Sequence, residues 1–275
     1  MPHFVQKMMA IHSPLGATVE TEQPDLSLVM PCYNEAESLP YSVSQLLRAF
    51  ERAGYRLQLV AVNNGSHDRT ADVIAELAAR HREITAVTVE ANIGYGHGIL
   101  SGVPYARAQW IGTVAADGQV DAEDLVRLYE AALGTDGKIL AKVRRRFRMD
   151  GVLRKIISVG YNGFVQLLWP GIGTLDVNGQ PRLMRAETWR AMELRSANWL
   201  LDLEMVIKAH YMGLRIVELN VFARMRGKGI SHVRLSTCWE FFTNLLRMRF
   251  SGAPKAASQA SEDRSTSRPP APSGL

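Results

Sequence analysis

The sequence predicts an α/β fold with a mixed, mainly parallel sheet flanked by helices. Short apolar runs alternate with helix-length segments of 3.6-residue periodicity, strand then helix, four times through the first half. Polar and glycine-bearing stretches follow those runs, at the strand ends where such sheets gather ligands. An apolar fraction of 47% beside 21% charged residues is enough to fill a sizeable core.

Residues 1–23 have no period and read as a loose arm ahead of a domain spanning 24–234. Leu26 to Met30 is the first strand and runs into Pro31-Cys32-Tyr33-Asn34-Glu35, a strand-to-helix loop. Val43, Leu46, Leu47 and Phe50 mark one face of a helix from Ser38 to Arg52, closed by Gly54. A second strand, Leu57 to Val62, ends in Asn63-Asn64-Gly65-Ser66-His67-Asp68, with Asp68 suited to cap a helix reaching Arg80. After a third strand, Ile84 to Val89, comes Asn92-Ile93-Gly94-Tyr95-Gly96-His97-Gly98. Its glycines suit either a phosphate-cradling loop or a plain mobile one.

Trp110 to Ala116 reads as a buried fourth strand that stops abruptly at Asp117-Gly118-Gln119. Two readings are open there. One is an Asp-Gly turn; the other is an oxygen site for a hard cation, Mg²⁺ or Mn²⁺, built on Asp117 and Gln119. A helix from Asp121 to Leu133 follows, then a fifth strand, Lys138 to Val143. That strand enters a basic run: Lys142, Arg144, Arg145, Arg146, Arg148, Arg154 and Lys155. The run is either a solvated face or a phosphate grip, since Arg holds phosphate through two parallel contacts. Arg154 and Ser158, four apart, share one face of the helix starting near Val152. The apolar segment Ile156 to Trp169 suits a buried helix or one lying in a membrane interface.

Asp176-Val177-Asn178-Gly179 is a polar turn into the short strand Leu183-Met184. Asp202 and Glu204 open a helix from Trp199 to Met212, and Arg215 to Val221 is the last strand. Residues 235–250 form an amphipathic helix whose aromatics and arginines fit a membrane surface or packing on the domain. Residues 251–275, rich in Ser, Pro and Ala, read as a disordered tail.

Several classes are set aside. A net charge of +5 points to anionic partners. The basic run lacks the interleaved aromatics of a nucleic-acid binder. Neither a G-x-G-x-x-G after the first strand nor a G-x-x-x-x-G-K-[ST] occurs. Cys32 and Cys238 fit no metal or disulfide pattern, and no apolar run approaches the roughly 18 residues of a membrane span. A cytoplasmic protein, peripherally held at the cytosolic face of a membrane, is the expectation.

In order along the chain, these motifs resemble family 2 glycosyltransferases of the GT-A (Rossmann-like) fold, within them the dolichol-phosphate mannosyltransferases and bacterial polyprenyl-phosphate glycosyltransferases. The resemblance implies a donor site for a nucleoside diphosphate sugar, GDP-mannose or UDP-hexose. Its residues would be Pro31, Tyr33, Glu35, Val62, Asn64, Ala115, Ala116, Asp117, Arg144, Arg226 and His232. It implies Asp117 and Gln119 as metal ligands, and Asp117, Asp176 and Arg226 as catalytic. Arg144, Arg154 and Ser158 would hold the phosphate of a polyprenyl or dolichyl phosphate acceptor. Sugar transfer would proceed with inversion. Two departures from the family pattern stand out: Ala115 replaces the first metal Asp, and Asn63-Asn64 replace an Asp pair. A rival on the same fold has a soluble hydroxyl acceptor and a carboxylate base drawn from Asp176, Asp202 or Glu204. A second rival is a nucleotide-sugar-binding protein with reduced activity.

Overall fold

The computed structural model describes residues 23–147, 152–222, 243, 245, 246, 249 and 250, with backbone alone for 146–147 and 152–158. Among these residues the order is β1 (Leu26–Cys32), α1 (Leu39–Arg52), β2 (Leu57–Asn64), α2 (Thr70–Arg80), β3 (Ile84–Val89), α3 (Tyr95–Gly102) and β4 (Trp110–Thr113). Then come α4 (Ala122–Leu133), β5 (Ile139–Phe147), α5 (Val152–Leu168), β6 (Arg182–Arg185), α6 (Ala186–Met192), α7 (Leu201–Tyr211) and β7 (Arg215–Phe222).

The strands form one sheet in the order β3-β2-β1-β4-β6-β5-β7. β1 pairs in parallel with β2 and β4, β2 with β3, and β5 with β7. β6 alone among them runs antiparallel, wedged between β4 and β5. β2 is buried at every position, as a central strand covered on both faces must be.

Side-chain alternation divides the interior. Leu26, Leu28 and Met30 of β1 join Leu59, Phe50, Trp110, Leu125 and Leu128 in a core under α1 and α4. Val29 turns the other way, onto Val60, Val62 and Val87. Further along the sheet, Ile111, Leu140 and Met184 pack with Val165, Trp169, Val206 and Leu245 under the later helices. Leu245 is 1% exposed within this cluster, while Phe250 is exposed.

Several boundaries differ from the sequence expectation. β4 stops at Thr113, leaving 114–117 as loop. β2 reaches Asn64, so both asparagines belong to the sheet. The glycine-rich loop is half helix, because α3 starts at Tyr95. β5 runs on to Phe147 and takes Arg144 to Arg146 into the sheet. Asp68 does not sit at the helix boundary itself; its Oδ1 accepts the Thr70 N–H at 2.9 Å, and Oδ2 accepts the Ala36 N–H at 3.2 Å. Residues 1–22 and 251–275, and most of 235–250, lie outside the described residues.

Candidate active site

The carboxyl ends of β1, β2 and β4 meet at one rim. The loop after β1 is stitched to the loop after β2. Asn34, at φ 55°, donates its N–H to Ser66 Oγ (3.2 Å) and accepts the His67 N–H on its side-chain oxygen (2.9 Å). Ser66 N–H reaches Asn63 Oδ1 at 3.2 Å, and Glu35 N–H reaches Thr70 Oγ1 at 2.9 Å. Tyr33 is 42% exposed at this rim, edge-on to His67.

Two residues of the expected donor set face elsewhere. Val62 lies wholly in the valine cluster under α3, so only its backbone is left to meet a ligand. Asn64 is buried and donates its amide to Gly94 O at 3.0 Å. A carboxylate at that position has no proton to donate, which gives the Asn a structural reason to be there.

The Asp117 loop is fixed from α1: Ser42 Oγ donates to Ala116 O at 2.9 Å. Gly118, at φ 63°, makes the reversal that lets Asp117 Oδ1 accept the Gln119 N–H at 3.1 Å. Among the described residues, no group of three or more His, Cys, Asp or Glu can hold a metal. Among the described residues, this loop offers the Asp117 carboxylate and the Gln119 amide oxygen, beside the methyl of Ala115. This set fits a hard cation that draws its other ligands from water and a diphosphate.

The later strands build a buried polar network beside that loop. Asp176 takes Arg145 on both oxygens (Nε–Oδ2 3.0 Å, Nη2–Oδ1 2.8 Å) and accepts the Arg145 N–H at 3.0 Å. Burial alone would raise its pKa; the Arg145 guanidinium overrides this and brings it down to about 2. Asp176 thus anchors its turn, and a carboxylate held at that pKa is a poor proton acceptor. Lys142 is fully buried, on Thr174 Oγ1 and Glu218 Oε1 (both 3.2 Å) and the Asp176 carbonyl. Burial first, then repulsion from Arg182, lowers its pKa to about 8.

Arg182, also fully buried, ties the carbonyls of Gly179 (3.0 Å), Val177 (2.5 Å) and Asp202 (2.7 Å), and pairs with the Asp202 carboxylate at 3.2 Å. Gln180 Nε2 sits on both Asp202 oxygens, 3.0 and 2.9 Å, and on the Tyr95 hydroxyl. Burial outweighs Arg182 and raises the Asp202 pKa. Burial also raises the Tyr95 pKa, with Asp202 and, more weakly, Asp117 adding to it. Glu204 accepts the Ser196 N–H at 2.8 Å and pairs with Lys208 at 2.7 Å.

Arg144 lies half-buried on β5, opposite Asn220 of β7. Arg154 and Ser158 are one turn apart on α5, where the backbone alone is described. Arg226 and His232 lie outside the described residues. Sequence reasoning missed Tyr95, Gln180, Arg182, Trp199 and Glu218 as members of the site's surroundings. A signal existed: Lys142 and Arg182 are cations in apolar strands, and Glu218 and Asp202 are carboxylates in apolar runs. Buried ions of opposite sign seek each other.

The fold is shared with solved structures. The mannosyltransferase PcManGT from Pyrobaculum calidifontis, in complex with GDP-Man and Mn²⁺, superposes with a TM-score of 0.58 at 18% identity, covering 84% of this chain and 64% of that one. Glucosyl-3-phosphoglycerate synthase from Mycobacterium tuberculosis, with Mn²⁺, UDP and its glucosylated product, gives a TM-score of 0.64 at 16% identity, covering 82% of this chain and 80% of that one. Among curated relatives, an undecaprenyl-phosphate 4-deoxy-4-formamido-L-arabinose transferase from Pectobacterium atrosepticum is 32% identical over 52% of this chain and 43% of its own length. A dolichyl-phosphate beta-glucosyltransferase from Trichomonas vaginalis is 26% identical over 76% of this chain and 68% of its own. The chain therefore spans about half the length of the first of these relatives, and more of the second. The family model for glycosyl transferase family 2 matches residues 27–197, more than half the chain and the whole rim from β1 to the loop before α7, and the chain belongs to that family.

Proposed function

We propose that the protein is an inverting hexosyltransferase moving a sugar from a nucleoside diphosphate sugar to a polyprenyl phosphate. One observation carries the choice of acceptor. Each of the three carboxylates that might serve as a base is already engaged: Asp176 by Arg145, Asp202 by Arg182 and Gln180, and Glu204 by Lys208 and backbone N–H groups. A hydroxyl acceptor needs a base; a phosphate acceptor is an anion at neutral pH and does not. The names of the relatives point the same way.

In this reading the β1 and β2 loops, with Tyr33 and Glu35, seat the nucleoside, and Asp117 with Gln119 faces the diphosphate. A Mg²⁺ or Mn²⁺ ion held by Asp117 and Gln119 would supply neutralisation of the leaving diphosphate. Asp117 orients that site through its bond to the Gln119 N–H, and Ser42 holds the loop still. Arg226 and His232 complete the donor side. Arg144, Arg154 and Ser158 aim the acceptor phosphate at the anomeric carbon, so the work is positioning and charge stabilisation. The domain is 24–234, with 235–250 and the basic surface holding it at the cytosolic face of a membrane. Among the described residues no helix is long and apolar enough to cross one.

The test is a donor screen with polyprenyl phosphate and divalent metal, reading lipid-linked sugar. Asp117→Ala should lower transfer roughly a hundredfold or more. Arg154→Ala should lower it roughly ten- to hundredfold while donor binding by calorimetry is unchanged. Transfer to a soluble alcohol that depends on Asp202 or Glu204 would overturn the acceptor assignment.

A further inference from the structure

Trp199 is 60% exposed, an unusual place for an indole, yet it is not loose. Its ring lies flat on Tyr95, centroids 4.7 Å apart and planes 5° from parallel. The loop carrying it is fastened on three sides. Ala197 O accepts the His97 N–H at 2.7 Å. The Glu204 carboxylate accepts the N–H groups of Arg195 (3.1 Å) and Ser196 (2.8 Å). Asn198 Oδ1 accepts the Leu200 N–H at 3.0 Å. The loop presses so closely on the start of α3 that a Cβ on Gly94 would lie 2.5 Å from Ala197 O, and one on Gly96 2.2 Å from Ser196 O.

One edge of this stack is polar. The Tyr95 hydroxyl meets the half-buried Gln180, whose amide also bonds Asp202, and Gly94, just before Tyr95, accepts the amide of Asn64 at the end of β2 at 3.0 Å. The arrangement is a rigid apolar plane, open on one face, with hydrogen-bonding groups along one side and the strand-end rim of β2 beside it. A pyranose has the matching shape: a C–H face that lies against an aromatic plane, and a rim of hydroxyls. An isoprenoid chain has no polar atoms for the rim. A nucleoside base belongs, in the reading above, with the β1 and β2 loops.

We propose that Trp199 is the stacking platform for the transferred sugar of the donor, with Gln180 and the Tyr95 hydroxyl at its polar edge. This rests on the donor reading of the site. A pre-stacked aromatic offers contact area at low entropic cost, so the sugar meets a surface already in place.

The experiment titrates UDP-glucose and GDP-mannose, each beside UDP and GDP alone, against intrinsic fluorescence of the wild type and Trp199→Phe. Transfer kinetics are measured for both and for Trp199→Ala. Expected is a fluorescence change with a sugar nucleotide, small with its nucleoside diphosphate, and absent in Trp199→Phe. Trp199→Ala should raise the donor KM roughly tenfold, with Trp199→Phe recovering most of it and the acceptor KM unmoved. An equal response to UDP or GDP alone makes Trp199 a base platform and overturns the proposal. So does a change confined to the acceptor KM, or no kinetic change in a folded Trp199→Ala. A wild type that shows the sugar-dependent signal but transfers nothing to polyprenyl phosphate refutes the acceptor reading and upholds the platform. A wild type that binds no sugar nucleotide sinks both.

Discussion

The two ends of the rim are held by different forces. At the β1–β2 end, the loops are tied mainly by amides, hydroxyls and backbone groups at or near the surface, with one carboxylate, Asp68, on the Ala36 N–H: Asn34 to Ser66 and His67, Asn63 to Ser66, Thr70 to Glu35. At the β5–β7 end, the turns hang on ions withdrawn from water: Lys142 with Glu218, Arg145 with Asp176, Arg182 with Asp202. Neutral bonds of the first kind each contribute modestly and respond little to pH. Buried ions of the second kind contribute little while paired, but removing one partner leaves a stranded charge. The second end should therefore be the brittle one.

The largest expected effect breaks it. Asp176→Ala takes away the carboxylate that grips the Arg145 guanidinium on both oxygens and should cost about 3–5 kcal/mol in denaturant unfolding. The wild type should carry an acid signature that the variant lacks. The Asp176 pKa is lowered from 3.8 to about 2 in the fold, so its contribution is present above about pH 4 and is lost as pH falls through about 2. A loss under 1 kcal/mol would show the two ends to be alike.

Lys142 sharpens the contrast from the alkaline side. Its folded pKa, about 8, lies below the unfolded 10.5, so the unfolded chain binds more protons between those values. Stability then rises with pH across that window by about 3 kcal/mol relative to Lys142→Met, which has no such group to titrate. Parallel pH profiles for the two proteins would refute this.

The smallest effect belongs to the other end. Ser66→Ala removes the acceptor for Asn34 N–H and should cost about 1 kcal/mol, with the same value at pH 3 and pH 8. A loss as large as that of Asp176→Ala would erase the distinction.

The same contrast explains what was legible beforehand. Apolar alternation is a local signal, so β1, α1, β3 and α4 stood out in the chain, as did the Asp117 turn after an apolar run. The ion pairs were not legible as pairs, because Lys142 meets Glu218 across 76 residues and no spacing rule joins them. The same holds for Tyr95, whose ring partner Trp199 comes from the loop before α7, 104 residues further along the chain. Arg145 was counted in a basic run read as either a solvated face or a phosphate grip. Strand alternation instead separates its side chain from that of Arg144, and it is spent on Asp176. Asp176 was read in the chain as a polar turn residue near the sugar; its grip by Arg145 belongs to an environment that a sequence does not display.

The place of β6 between β4 and β5 has a consequence for synthesis. β5 lies next to β6 and β7, both made after it, so it leaves the ribosome with no neighbour to pair with. At ordinary elongation rates the 40 residues from Lys142 to Arg182, its partner on β6, take roughly 2 to 8 seconds, during which Ile139 to Val143 is an unprotected apolar strand. Such a segment is where nascent chains clump. The arginines directly after it, Arg144 to Arg146, repel a second copy of the same strand. The basic run would then guard the chain while it is being made, before any phosphate comes near it.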